Sequence, residues 1–324
     1  MSLNIKNNTK VLSALSALLL CITPLCVAPA LAEAASTETQ TQVQFSAITT
    51  ARSSGALEAT MVEGGSWFSV SQPVHQAIYI KHPKGDLLFD TGVGNNTPAA
   101  LEKLGWFDRQ LFSIGEVFSV ADQLTQQNMP IENISAIIPS HLHWDHTGGL
   151  PELLGIPVWS EQAGIDFALQ GDAPAFLKEH LVKEINWQPL TLTNQEYMGF
   201  ERSLDIYNDN SLVLVSLAGH TPGQVGLFLT TDAKQTYFFI GDTTWLMKGV
   251  TENKPRPGIT QWLVGVDADV EKNSAMIRKI NNIRKLHPGI KIVPAHDQFV
   301  SRELPQFPYF SKLFSQPLPL VSSQ

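Results

Sequence analysis

Cysteine is nearly absent. The 324 residues contain two, Cys21 and Cys26, and both fall in an N-terminal segment that reads as a leader. Everything downstream of that leader lacks a thiol. This excludes a disulfide framework, a thiolate metal ligand and a cysteine nucleophile. A positive charge excess is missing too: the formal net charge is −8, which disfavours a nucleic-acid partner. Beyond residue 32 no apolar run is long enough to span a bilayer, and no internal repeat is visible. What remains is 43% hydrophobic, enough to bury a full core without staples.

The leader has its own logic. Lys6 and Lys10 make a short basic region, Val11 to Ile22 is almost entirely apolar, and Ala30-Leu31-Ala32 has the small-x-small pattern of a signal peptidase site. Pro24 and Pro29 break the apolar stretch, which makes an uncleaved anchor the weaker reading. Residues 1–32 are therefore expected to be a signal peptide cleaved after Ala32. The mature protein is expected to be periplasmic or secreted, without stable membrane insertion. Residues 33–43 are small and polar and read as a flexible linker. Residues 44–324 read as one folded domain, of which 305–324, rich in Pro and Phe, forms a C-terminal strap.

Short β-like runs recur through that domain: Gln44 to Thr50, Ala56 to Val62, Gln76 to Ile80, Asp86 to Asp90, Ile134 to Ile138, Pro157 to Trp159, Leu212 to Leu217, Val225 to Leu229, Tyr237 to Ile240 and Ile290 to Val293. Helical stretches are expected over Glu116 to Gln127, Ser160 to Leu169, Pro174 to Lys183 and Val270 to Leu286. The last carries Val270, Met276, Ile277, Ile280 and Ile283 at helical spacing. Hairpins followed by mixed strands and helices predict an α+β or α/β layered fold.

Four of the β runs lead directly into a histidine or aspartate. Ile134 to Ile138 runs into His141-Leu142-His143-Trp144-Asp145-His146, Leu212 to Leu217 into His220, Tyr237 to Ile240 into Asp242, and Ile290 to Val293 into His296. Strand ends are rigid places from which to aim side chains at one point. His141 and His143 share a face in extended backbone, and Asp145 keeps their phase. His146 falls out of phase, so the chain must turn there, helped by Thr147-Gly148-Gly149. One segment can thus serve two adjacent metals, one through His141 and His143 and one through Asp145 and His146. Imidazole and carboxylate suit zinc, manganese or iron. A lone histidine is more often a surface or satisfied core residue, and His75, His82, His180 and His287 are read that way.

These residues resemble the metallo-β-lactamase superfamily pattern. His141-Leu142-His143-Trp144-Asp145-His146 matches its HxHxDH signature, Gly219-His220-Thr221-Pro222-Gly223 its second motif, Gly241-Asp242 its third and Ala295-His296 its fourth. The resemblance extends over about Gln44 to Gln298 and includes Leu88-Phe89-Asp90-Thr91-Gly92. It implies a four-layer αββα sandwich with a dinuclear site at one edge of the sheets. His141, His143 and His220 would hold one cation and Asp145, His146 and His296 the other, with Asp242 bridging. Asp90 would orient a ligand histidine. Two Zn²⁺ are implied, with Mn²⁺, Fe²⁺ or Co²⁺ as substitutes.

Asp242, where many β-lactamases carry Cys or Ser, points away from that branch. The flavodiiron and nuclease branches are disfavoured by the first motif, by export and by acidity. The stretch Ile80 to Gly92 looks most like acyl-homoserine lactonases; organophosphate hydrolases of the methyl-parathion type and glyoxalase II-like thioesterases are the alternatives. Non-catalytic metal binding is the least favoured reading. The implied chemistry is hydrolysis of a small ester or lactone by a water that the metals acidify, with Asp145 and Asp242 as the acting carboxylates. Trp67, Phe68, Trp144 and Trp245 are the expected pocket residues. Trp245 stands where many lactonases of that group have Tyr, and an indole cannot serve as an acid.

Overall fold

Short β-rich segments buried on both faces build two sheets. The computed structural model describes residues 43–311. The expected leader, nearly all of the linker and the strap beyond Ser311 lie outside the described residues. The strands are β1 (Gln44–Arg52), β2 (Ala56–Leu57), β3 (Val70–Ser71), β4 (Val74–Lys81), β5 (Asp86–Phe89), β6 (Ile134–Ile138), β7 (Pro157–Ser160), β8 (Asn186–Pro189), β9 (Ser203–Asp205), β10 (Leu212–Ser216), β11 (Val225–Thr230), β12 (Thr236–Phe239) and β13 (Lys291–Val293). The first sheet has the order β1-β4-β5-β6-β7-β8 and the second β13-β12-β11-β10-β9, while β2 and β3 pair as a separate ribbon.

Opposite faces of each strand feed different layers. Phe45, Ala47, Ile78, Ile80, Leu87, Phe89 and Ile138 meet Leu212, Leu214, Leu227, Phe239 and Val293 between the sheets. The alternate residues Ile48, Ala77, Tyr79, Leu88 and Ile137 face outward beneath Val120 and Leu124 of the helix Val120–Gln126. On the far side Val213, Val215, Phe228 and Phe238 lie under Ile280 and Ile283 of the helix Val270–Leu286. Two sheets with helices on both outer faces make the four-layer αββα sandwich. The rings of Phe228 and Phe238 stack at 3.8 Å, a contact of about 0.5–1.5 kcal/mol beyond area burial.

Strand direction decides what meets at one edge. β5 and β6 are parallel, as are β12 and β13. β10 and β12 both run antiparallel to β11 and so share a direction. The C-terminal ends of β5, β6, β10, β12 and β13 carry Asp90, the His141–His146 segment, His220, Asp242 and His296. β4 runs opposite to β5, so it brings its first residues to that edge, and the end of β1 lies beside them.

Several local expectations need correction. Only Ala56–Leu57 of the expected strand Ala56 to Val62 is extended; Glu58–Met61 is a helical turn, because the Glu58 carboxylate accepts from Ser66 N at 2.7 Å and folds the segment back. The expected helix from Glu116 begins at Val120, capped by Ser119, since Gly115 and Phe118 donate instead to Arg52 and Thr50 of β1. Pro174 to Lys183 forms turns rather than a helix. There the Ala175 carbonyl is taken by Trp144 N at 2.9 Å, and Phe176 is buried with Leu142 and Ile165. The described part of the strap pairs along β1, with Phe307 N donating to Ala47 O at 3.0 Å.

The loop after β5 and the turn after the His-rich segment touch backbone to backbone. Gly148 N donates to Gly92 O at 2.9 Å, and a Cβ on Gly148 would sit 2.6 Å from Val93 Cα and 2.7 Å from Gly94 N. Gly148→Ala is therefore expected to destabilise the fold by about 1–3 kcal/mol, the usual cost of overpacking, read as a lowered melting temperature. An unchanged melt would show that the two loops separate freely.

Candidate metal centre

The His-rich segment leaves β6 extended through His143 and then coils. Trp144–Thr147 is a single helical turn with His143 as its N-cap residue. The turn thus begins at Trp144, earlier than the phase argument placed it. His146 N and Thr147 N both bond back to His143 O, at 3.0 and 3.2 Å. As a result His141 and His143 project to one point, while Asp145 and His146 project to others. Three groups of facing ligand atoms emerge: His141, His143 and His220; His141, His146 and Asp242; and His75, Asp145 and His296.

The first group is the most regular. His141 Nε2, His143 Nδ1 and His220 Nε2 lie 3.1, 3.2 and 3.0 Å apart. For His220, His146, His296 and His141 the partner on the far side of the ring sets where the first proton sits. His220 Nδ1 is 3.0 Å from Asp267 Oδ1, His146 Nδ1 is 2.9 Å from Asp90 Oδ2, and His296 Nδ1 is 2.8 Å from Val74 O. Those oxygens can only accept, so the outer nitrogens are the N–H donors. His141 Nδ1 lies 3.1 Å from the Ser140 hydroxyl, which itself donates to Asp90 Oδ2 at 3.0 Å. The inner nitrogens of His141 and His220 are left with bare lone pairs facing each other, whereas those of His146 and His296 face carboxylate oxygens. Lone pairs at this separation repel unless a cation lies between them, and the edges suit three ligands about 2.0–2.1 Å from one zinc ion.

The carboxylates complete the pattern. Asp242 Oδ1 lies 3.3 Å from His146 Nε2 and 3.0 Å from His296 Nε2, and its Oδ2 lies 3.7 Å from His220 Nε2. Asp242 therefore stands between the two ends of the cluster. His146 Nε2 and Asp242 Oδ1 are buried without a hydrogen-bond partner, a costly state that a cation relieves. Asp145 Oδ2 is 3.3 Å from His296 Nε2. Burial, joined by the neighbouring rings, pushes His143 down to about 3 and His141 well below the usual histidine range. Burial also opposes protonation of His146 and His296, but the adjacent carboxylates outweigh it and pull both upward. Burial raises Asp242 and Asp145 as well, and the same histidines more than reverse it. The donor set thus fits a pair of divalent cations, whose binding would displace shared protons.

A supporting shell fixes these ligands. Asp90 adopts a left-handed φ of 61°, a strain of about 1–3 kcal/mol. It is held there by Ser140 N at 2.6 Å, the Ser140 hydroxyl and His146. Asp267 accepts from His220, from Arg256 Nη1 at 2.6 Å and from Asn273 at 3.1 Å. Neither Asp267 nor Arg256 lies in a recognisable motif, and both escape a reading of the sequence alone. His75, expected to be a surface or satisfied core residue, instead has its Nδ1 3.1 Å from Asp145 Oδ2. His82 stacks on Tyr207, away from the cluster, His180 bonds Thr97 and lies behind the ligand segment, close enough to feel the Asp145 charge, and His287 is exposed at a helix end.

The expected pocket residues divide. Trp144 is not a pocket wall: it is buried, with its ring edge-on to Phe112 at 6.1 Å and 5.3 Å from His75. Its helical position turns it into the core. Trp245 is half-buried over the Arg256 guanidinium, and its indole N–H donates to Asp242 Oδ2 at 2.7 Å. Trp67 and Phe68 are 62% and 99% exposed. The base of their loop, Met61 and Val62, packs with Leu246 and Trp245, so the loop springs from beside Asp242.

Asp267 makes a carboxylate–histidine pair with a ring that faces the cluster. Removing such a partner costs about 10–100-fold in metal affinity. Asp267→Ala is expected to weaken zinc retention by that order in a competition titration with a chelator, and equal retention would contradict the assigned role.

Comparison with known proteins agrees with this geometry. The metallo-beta-lactamase superfamily domain matches residues 72–296. The chain is 22% identical over 205 residues to the N-acyl homoserine lactonase AttM of Rhizobium radiobacter, covering 60% of this chain and 73% of that protein. It is 23% identical over 181 residues to an N-acyl homoserine lactonase of a Bacillus species, covering 54% of this chain and 66% of the relative. A crystal structure of a quorum-quenching N-acyl homoserine lactone lactonase superposes with a TM-score of 0.65 at 17% identity, covering 84% of this chain and 99% of that one. With the ligand pattern, the fold and the matched domain in agreement, the chain belongs to the metallo-beta-lactamase superfamily and is a metal-dependent hydrolase.

Proposed function

We propose that this protein is an exported dinuclear zinc hydrolase that opens a lactone or a related carboxylic ester, with acyl-homoserine lactones as the leading substrate class. The observation that carries the reading is the position of Asp242 between the three-histidine group and the His146/His296 end. That position suits a carboxylate shared by two cations. The lactonase relatives support the substrate class, and export rests on the basic, apolar and small-residue pattern of residues 1–32.

When bound, such a pair of cations supplies an acidified water and a Lewis acid for the carbonyl oxygen. The chain's own residues do the rest. Asp145, an ionised carboxylate, steers the water, accepts the proton the water gives up and passes it to the leaving alkoxide oxygen. Asp242 is held by the Trp245 indole, which keeps its carboxylate in one orientation. The aromatic loop carrying Trp67 and Phe68 offers apolar surface to an acyl chain.

One observation favours a second reading. The Trp245 N–H is taken by Asp242, so the carbonyl-contacting hydroxyl of many lactonases has no counterpart at this position. A phosphotriester or aryl ester, with its better leaving group, needs that contact less.

Two experiments decide. A panel of an acyl-homoserine lactone, paraoxon, a β-lactam and an aryl acetate is expected to give the highest kcat/KM with the lactone, in an activity lost to chelator and restored by zinc. Preference for paraoxon or the aryl ester would select the second reading, and no turnover of any ester would contradict both. Asp145→Ala is expected to lower kcat about 10²–10⁴-fold, the range for a general acid–base group; unchanged turnover would refute its role.

A further inference from the structure

We propose that His75 and Ser53 form a positioning pair for Asp145, holding its carboxylate from the strand side so that it is presented in one orientation. The inference rests on the reading of Asp145 as a metal-site residue and extends it to a side chain outside the superfamily motifs.

His75 is the second residue of β4 and is 3% exposed. Its Nδ1 lies 3.1 Å from Asp145 Oδ2 and its Nε2 lies 2.9 Å from the Ser53 hydroxyl. Ionised Asp145 can only accept, so the proton sits on Nδ1. A neutral ring then has an acceptor at Nε2, which the Ser53 O–H fills. Both nitrogens are thereby used, and the ring has one tautomer and one orientation.

The backbone is arranged to the same end. The β1–β4 pairing is interrupted between Thr49 and Ala51, which leaves Thr50 as an extra residue opposite Gln76 and His75. Such bulges re-aim neighbouring side chains. The Thr50 hydroxyl is spent on His75 O at 3.0 Å and accepts from Val93 N at 3.0 Å. Ser53 N bonds Pro73 O at 2.9 Å, just before β4. The ring is therefore fixed at its backbone carbonyl, at its far nitrogen and, through the Trp144 ring 5.3 Å away, on one side.

The consequence concerns which contacts Asp145 can make. Its carboxylate sits on a one-turn helix, where its neighbour in the HxHxDH segment, His146 Nε2, stands 3.9 Å from Oδ1, beyond hydrogen-bond reach. The hydrogen bond from His75 resists rotation about Cβ–Cγ while Oδ2 faces Nε2 of His296 at 3.3 Å. His296 is anchored by the same strand, since its Nδ1 donates to Val74 O. The first two residues of β4 therefore hold Asp145 and His296 as a unit.

The test compares His75→Leu, His75→Asn and His75→Gln in the full chain. An Asn amide nitrogen falls near the place of Nδ1, whereas a Gln amide nitrogen reaches the place of Nε2. Zinc retention is read by competition with a chelator, without substrate, and kcat and KM are read separately. His75→Leu is expected to lose the more weakly held zinc about 10–100-fold more readily and to lower kcat more than KM changes. His75→Asn should recover most of the retention and His75→Gln should not. Equal retention in the Asn and Gln variants, or a folded Leu variant that holds zinc as the parent does, would overturn the proposal. If the Leu variant fails to fold, the Asn/Gln pair decides alone. A parent chain that binds no zinc would overturn this proposal and the functional reading together; a zinc-replete parent with indifferent variants would overturn the positioning role only.

Discussion

Everything in this protein turns on a buried cluster of lone pairs. Imidazole nitrogens from His141, His143, His146, His220 and His296 and carboxylate oxygens from Asp145 and Asp242 crowd together in a space nearly sealed from water. Without a cation the arrangement is expensive: three ring nitrogens crowd to 3.0–3.2 Å, those of His141 and His220 with bare lone pairs, and two buried polar atoms of the cluster lack partners. Burial alone drives imidazoles neutral, whereas the carboxylates pull protons back onto His146 and His296. Divalent cations would resolve both tensions at once, because they would satisfy the lone pairs and neutralise the carboxylates.

The fold exists to oppose that repulsion. Two sheets bury large apolar faces against each other and against helices, and the rigidity so obtained is delivered at one edge, where strands from both sheets end. The outer hydrogen bonds are the means of delivery. Asp90, Asp267, the Ser140 hydroxyl and the Val74 carbonyl each take one outer N–H, which decides the tautomer and the aim of the ring. Arg256 extends this order further, joining Asp267 below His220 to the face of Trp245, which in turn grips Asp242. Ligands from distant parts of the chain are thus coupled through a few buried polar contacts.

Much of this was legible in the sequence, for physical reasons. The ligands follow apolar runs directly, so the strand ends and the motif residues point to each other; Ile134 to Ile138 and Val270 to Leu286 match the observed elements residue for residue. What stayed hidden depends on direction and distance. His75 lies at the start of its strand, and only the antiparallel course of β4 brings that start to the site. Asp267 and Arg256 sit in irregular segments with no periodicity to betray them. Trp144 faces the core instead of a pocket because the helical turn at its own position swings it inward. Trp245 was placed beside the cluster by its spacing from Asp242, but its hydrogen bond could not be foreseen.

The most direct test of the account is the metal content of the purified, cooperatively folded chain after dialysis against metal-free buffer. The account predicts close to two zinc equivalents per chain, with loss of metal when His146 or Asp242 is replaced by alanine. A well-folded chain that holds no transition metal, or retains its metal undiminished in those variants, would contradict it.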